Sequence, residues 1–230
     1  MKLHKFMPAV ALLAAGLTVA PPAHAVPEQT TTVCNLVVPA RISVNGEYYG
    51  EWARLGSACP ASVYTAVWKS SPAATPNAQG RLEFTKGSRM VQFGFFGSNP
   101  PLGTITWSPA GGATNINGVK IADLGTAYSV SRCASVAALS GGRKGSRTAL
   151  LTTVSYWRPV SNRYVRWANK QVLIQYQDIG TSTWKGLAYV TTSSVGQVTY
   201  NYYPNRTRRY RVYVPGTSSI WNIFSPVISR

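Results

Sequence analysis

The chain has 230 residues with 23 lysines and arginines against 6 acids, a formal net charge of +17, and only two histidines, His4 and His24. Both histidines fall in a leader-like start, so the exported chain expected from it has no imidazole. That excludes Ser-His-Asp and Cys-His nucleophilic machinery, which needs an imidazole to take the proton, and zinc sites built on histidine.

The leader comes first. Lys2 and Lys5 precede an apolar run from Val10 to Ala20, followed by a proline break and Ala23-His24-Ala25. A basic start, a short apolar core and a small-x-small end predict a secretory signal peptide over residues 1–25, cleaved after Ala25. The run is too short to cross a hydrocarbon layer about 30 Å thick, and no later segment is long and apolar enough to do so. The expectation is a secreted, extracellular protein without a transmembrane segment, with association to the cell wall as the finer reading.

After the leader, the first half alternates short β-branched and aromatic runs with turn signals. The runs are "ARISV", "SVYTAVW", "RLEFT", "RMVQFGFF", "GTITW" and "TAYSVS". "SSPAATPNAQG", "GSNPPLG" and "SPAGGATNING" punctuate them. "NGEYYGE", holding Glu47 and Glu51, reads as a turn. In the second half the runs are "TALLTTVSYW", "KQVLIQYQ", "TWKGLAYV", "GQVTYNYY", "RYRVYV" and "IFSPVIS". No segment carries the 3.6-residue periodicity of an amphipathic helix, and the spacing is that of a β-sandwich.

Alternation is clearest in the second half. Val172, Ile174 and Tyr176 share one face, as do Val198, Tyr200 and Tyr202, and Tyr210, Val212 and Val214. Such strands predict a sheet buried on one side. "SGGRKGS", Ser140 to Ser146, reads as the start of a second domain after a small-residue linker.

The chemistry-bearing residues are few. Glu28, Glu47, Glu51, Glu83, Asp123 and Asp178 are the only acids. Glycoside hydrolysis needs two carboxyl groups facing across a cleft, and no spacing here provides them. No nucleophile elbow, S-x-x-K, P-loop or G-x-G-x-x-G pattern occurs. Calcium wants clustered carboxylates, and Asp123 and Asp178 stand alone. The expectation is no enzyme, no cofactor and no metal.

Cys34, Cys59 and Cys133 are the only cysteines. An exported chain favours a disulfide. Cys34–Cys59 is the preferred pair because both lie in the first half and close a moderate loop. A Cys59–Cys133 bridge with Cys34 left over is the alternative.

The pattern Lys144-Gly145, Val172 to Gln175, Trp184, Thr192 with Gly196, and Tyr210-Arg211 resembles the C-terminal immunoglobulin-like module of secreted actinobacterial proteins. The resemblance covers residues 132–230. It implies a β-sandwich there, and the first half is similar only in its strand-and-turn texture; the expectation is an all-β chain of two tandem immunoglobulin-like β-sandwich domains, residues 26–131 and 132–230, after a cleaved signal peptide. It brings no catalytic motif with it, and fold alone does not give function.

Two stretches are candidate sites. "RTRRYRVYVPG" packs Arg206, Arg208, Arg209 and Arg211 into six residues. Arg206 and Arg208 read as turn residues. Arg209 and Arg211 lie about 6.6 Å apart on one strand face. Residues 143–230 hold 13 basic residues against Asp178 alone, whereas residues 26–142 hold 8 against 5. A field of that size attracts polyanions, and the expected partner is a cell-wall or other acidic extracellular polymer. The bland reading is a charged strand face that blocks edge-to-edge aggregation, with Arg211 pairing with a carbonyl or Asp178. Sequence-specific nucleic-acid recognition is not expected, because no helix-turn-helix or RNA-binding motif occurs. The second stretch, "SYWRPVSNRYVRWANK", reads as a loop setting Tyr156, Trp157, Tyr164 and Trp167 together as a carbohydrate-binding alternative. Its bland reading is aromatics that cap the core and the domain junction.

Overall fold

Residues that alternate in polarity, broken by Gly, Pro and Asn, fold here as strands throughout. The computed structural model describes residues 32–72, 80–96 and 99–230. The expected leader, residues 1–25, lies outside the described residues, as does most of the turn between Ser70 and Gly80.

In the first half the strands are β1 (Val33–Cys34), β2 (Leu36–Val37), β3 (Arg41–Val44) and β4 (Tyr48–Leu55). Then follow β5 (Ala66–Ser71), β6 (Arg81–Phe84), β7 (Met90–Phe96) and β8 (Gly103–Pro109). β9 (Ala113–Thr114), β10 (Lys120–Leu124) and β11 (Ala127–Cys133) complete it. The second half holds β12 (Ser135–Lys144), β13 (Arg147–Arg158), β14 (Arg163–Arg166), β15 (Gln171–Asp178) and β16 (Lys185–Thr191). β17 (Gln197–Tyr202), β18 (Arg208–Val214), β19 (Ile223–Phe224) and β20 (Ile228–Ser229) follow. The fold is all-β, and sheets pack face to face around two cores.

The first core lies between the sheet β3-β11-β8-β5-β6 and the sheet β2-β4-β7, with β1-β10-β9 beside them. Its centre is aromatic. Trp68 meets Phe84 edge-on at 5.7 Å, and Phe93 crosses from one sheet to Trp107 of the other at 4.9 Å. Edge-to-face rings of this kind add to the area they bury. The expected Cys34–Cys59 disulfide forms. It closes a 25-residue separation and stabilises by about 3 kcal/mol. Cys133 is a buried free thiol whose pKa is pushed up by that burial.

The second core lies between β12-β13-β14, with β17 also on β13, and β16-β15-β18-β19, with β20 on β18. Leu139, Leu150 and Val154 of the one sheet face Val172, Ile174, Tyr210, Val212 and Val214 of the other. The faces read from alternation in β15 and β18 are the faces observed.

Three local readings differ from the expectations. "NGEYYGE" is not a turn: Tyr48 onward is strand, paired with β7 over seven positions. Ser140 to Ser146 is not a linker: it is the end of β12 and its hairpin turn into β13. Gly145, at φ 60°, takes the left-handed position that a two-residue hairpin turn requires. "SYWRPVSNRYVRWANK" is largely the hairpin of β13 and β14, joined by a single 3-10 turn at Pro159–Ser161. The first two segments score poorly by propensity, yet long cross-strand pairing overrides that.

Only Ala134 separates β11 from β12. The segment 215–222 folds back across this point. Cys133 N–H donates to the Ser219 carbonyl (2.8 Å), Trp221 N–H to the Cys133 carbonyl (2.9 Å) and the Trp221 indole to the Ile42 carbonyl (2.6 Å). Arg41 and Arg132 lie over the Trp221 ring, at 4.0 and 4.6 Å from its centre. Gly216 makes this loop possible, because a Cβ there would stand 2.6 Å from the Ile220 carbonyl oxygen. Asn162 also reaches across, donating to Glu47 at 3.2 Å.

Candidate functional site

The four arginines of the opening stretch separate into different environments, because β18 alternates its sides. Arg208 opens the strand rather than ending the turn, and it points inward, 9% exposed. Its Nε donates to Asp178 Oδ1 at 2.8 Å, its Nη1 to the Tyr202 hydroxyl, and its guanidinium lies 4.6 Å over the Tyr176 ring. The Asp178↔Arg208 cross-strand register brings the two together. Burial by itself lowers the Arg208 pKa, but the Asp178 hydrogen bond and the charges of Tyr202, Asp178 and Tyr176 outweigh it and hold the pKa above its ordinary value.

Arg211 faces outward but is engaged. Its Nε donates to Gln175 Oε1 at 2.8 Å, and its guanidinium lies between Trp184 (4.2 Å) and Phe224 (4.1 Å). Burial by these neighbours lowers its pKa. The expected carbonyl or Asp178 partner is therefore not what Arg211 uses; Asp178 belongs to Arg208. Arg206 touches Asp178 only loosely, at 3.7 Å, with its side chain 62% exposed. Arg209 is exposed. Of the four, Arg206 and Arg209 are the exposed cations.

Tertiary structure adds cations that sequence distance had hidden. Arg143 Nη2 donates to the Pro204 carbonyl at 3.2 Å, which sets the β12–β13 hairpin against the β17–β18 turn. Thr148 pairs with Tyr202, so Arg147 sits beside that turn as well, with Lys144 opposite it in the hairpin. Arg230 exchanges backbone hydrogen bonds with Arg208, and its Nε donates to the Gly141 carbonyl at 2.6 Å. Arg143, Lys144, Arg147, Arg206, Arg209 and Arg230 thus gather at one end of the second sandwich, around an Arg208–Asp178 pair set inward. Nothing in the local sequence of "GGRKGSR" signals this. Only the hairpin register does.

The aromatic candidates do not form one platform. Tyr156 and Trp157 are adjacent on β13 and so face opposite ways. Tyr156 meets Trp167 edge-on at 5.4 Å, while Trp157 meets Tyr164 at 5.3 Å. Trp157 belongs to the first core and Trp167 packs against the second. Lys170 lies 4.4 Å over Trp167, and burial lowers its pKa. Tyr164 remains 42% exposed.

The described acids are dispersed. Glu83 pairs with Arg81 (3.1 Å), Asp123 with Lys120 (2.5 Å) and Asp178 with Arg208. Among the described residues, no three His, Cys, Asp or Glu side chains gather in a way that could hold a metal ion. No helix is long and apolar enough to cross a membrane among them.

No protein-family model matches the chain, and no curated protein does. Several solved structures are similar over most of its length. The human OSCAR ligand-binding domain is 14% identical, with 87% of this chain and 99% of that chain covered at a TM-score of 0.25. The D0-D1 domain of intimin is 13% identical, covering 86% and 97% at 0.29. The calcium-binding domain CBD12 of CALX1.1 is 11% identical, covering 77% and 78% at 0.29. Scores this low carry no argument, so the fold rests on the strand registers described above.

Proposed function

We propose that this is an exported, non-catalytic binding protein that attaches to an acidic extracellular polymer through the basic end of its second sandwich. The reading takes the chain as two tandem domains, residues 26–131 and 132–230, meeting where Ala134 joins β11 to β12. One observation carries it. Asp178, the sole acid among residues 143–230, is held by Arg208 and reached only loosely by Arg206, so the exposed Arg143, Lys144, Arg147 and Arg209 have no ion-pair partner among the described residues. Uncompensated positive charge of this density draws anionic polymers and holds them in a salt-dependent way. The leader pattern and the Cys34–Cys59 bridge support an oxidising, extracellular setting. The resemblance of residues 132–230 to modules of secreted actinobacterial proteins makes an anionic wall polymer of teichoic type the natural ligand.

The test is co-sedimentation with purified Gram-positive cell walls, with and without their anionic polymers, across a salt series. Binding is expected to fall with salt and with polymer removal, and Arg206→Ala/Arg209→Ala to weaken it by about tenfold. Binding indifferent to all three treatments overturns the proposal and leaves the arginines as a solvated strand face.

A further inference from the structure

The outward face of the sheet β16-β15-β18-β19 carries an arrangement that the charge of the basic end does not explain. Tyr210, Val212 and Val214 fill the second core, so Arg209, Arg211 and Tyr213 point away from it. Register then sets a row across all four strands. Tyr189 of β16 lies opposite Leu173 of β15, Leu173 opposite Tyr213 of β18, and Tyr213 opposite Phe224 of β19. Three inter-strand spacings make this row about 14 Å long. Its ends are open: Tyr189 is 70% exposed and Phe224 43%. Tyr213 and Phe224 touch, with ring centres 4.9 Å apart.

Arg211 stands in the next row, opposite Gln175. Its Nε donates to Gln175 Oε1, and the Trp184 and Phe224 rings lie 4.2 and 4.1 Å from its guanidinium carbon. Nη1 and Nη2 meet no acceptor among the described residues. The one acid of the second half, Asp178, is held by Arg208. The guanidinium is therefore fixed before anything binds, with the fork of its two Nη groups unused. Aromatic rings on both sides leave that fork open in the guanidinium's own plane. A carboxylate is planar and meets both Nη groups in that plane by two parallel hydrogen bonds. A phosphate is tetrahedral and carries oxygens out of the plane, toward the rings.

We propose that Arg211 and this aromatic row bind a carboxylated polysaccharide, a chain of hexuronate type, by a mechanism separate from that of the basic end. The fork takes the carboxylate, by charge complementarity on a face with no carboxylate of its own. Phe224 belongs both to the fork and to the row, so a sugar ring whose carboxylate reaches Arg211 lies against the row. Its C–H face stacks on the aromatic side chains, and its hydroxyls stay in water. The face selects against an acidic peptide as the carrier. β15 and β18 are inner strands whose backbone groups are spent on their neighbours. A peptide laid across them finds no ladder and leaves its own N–H and C=O groups unpaired, whereas peptides that add to sheets do so at edges. A second copy of the chain, itself at +17, brings repulsion rather than a carboxylate. Arg206 and Arg209 hold a polyanion of either kind by charge; Arg211 discriminates by shape.

The test is titration of the purified full-length protein with polygalacturonate, polyglutamate and polyphosphate of matched length, at low and high salt. Polygalacturonate is expected to bind more tightly than polyglutamate. Arg211→Lys, which keeps the charge and loses the fork, is expected to weaken polygalacturonate binding by about tenfold. Tyr189→Ala, at an exposed position, is expected to weaken it several-fold with the wild-type melting temperature. Polyphosphate binding is expected to change by less than about twofold in both variants and to fall in Arg206→Ala/Arg209→Ala. Polygalacturonate binding that is absent, equalled by polyglutamate or unchanged in Arg211→Lys overturns the proposal. An equal loss of polyphosphate binding in a folded Arg211→Lys also overturns it, because Arg211 would then be one more charge of the basic end.

Discussion

Arginine does opposite work at the two ends of the second sandwich. At the junction with the first half, Arg41 and Arg132 stack on Trp221, with Arg41 Nη2 donating to the Asn222 carbonyl and Arg132 Nη1 to the Thr217 carbonyl. Their charge is absorbed into a contact between the halves. At the other end, Arg206 and Arg209 face solvent, and the local carboxylate is held by Arg208. The same residue type therefore builds a rigid junction in one place and an open cationic surface in the other. The difference lies in what each guanidinium finds within 5 Å, not in the local density of arginines along the chain.

The comparison is tested most severely at Arg208. Arg208→Ala leaves Asp178 partly buried without its cation, and a loss of about 4 kcal/mol in urea unfolding is expected. A loss under about 0.5 kcal/mol, as expected for exposed Arg209→Ala, would make the pair a surface ion pair and merge Arg208 with its neighbours. Trp221→Ala comes next. It removes two cation–π contacts and the hydrogen bond to Ile42, for an expected loss of about 2 kcal/mol. The same variant is expected to uncouple the halves, so that a single unfolding transition becomes two. A single transition retained in Trp221→Ala would assign the coupling to the β11–β12 connection instead.

The smallest effect is expected at Tyr210. Its side chain is fully buried in the second core, and its hydroxyl has no hydrogen-bond partner among the described residues. Burial, with the Tyr202 charge, raises its pKa, while Arg208 and Arg143 oppose the rise. A group whose folded pKa is raised contributes stability that is fully present below its unfolded value, about 10 for tyrosine, and lost as pH rises through the folded value. Wild type should lose stability above about pH 10, and Tyr210→Phe should lose less there. Near neutral pH the substitution should change stability by under about 1 kcal/mol. Identical alkaline limbs in the two proteins would assign the effect to other groups.

Legibility followed burial pattern. β15 and β18 each bury one face, so Val172, Ile174, Tyr210 and Val212 announced both the strands and their inward sides. β12 and β4 gave no such signal. "SVAALSGGRK" is poor in β-branched and aromatic residues, and "YYGEWARL" carries a glycine, a glutamate and an exposed tryptophan. Each is a strand because of its partner: β12 pairs with β13 over ten positions and β4 with β7 over seven. Pairing energy of that kind is invisible in a window that holds only one of the two strands. The cationic cluster behaves alike. Arg206 and Arg209 could be read from their own stretch, whereas Arg143, Arg147 and Arg230 joined them through registers and a carbonyl contact spanning 61 residues.

The sequence by itself determined what depends on composition and on a period of two: an all-β chain, a basic second half, a chain free of imidazole beyond His24, and which side of each amphipathic strand faces inward. These are properties that a residue carries with it or shares with neighbours two positions away. Only the tertiary structure decided that Asp178 serves Arg208, that Trp157 and Trp167 seal different cores, and that Arg211 lies between Trp184 and Phe224. Those outcomes depend on which distant strand lies alongside, and that choice is made by the packing of whole sheets.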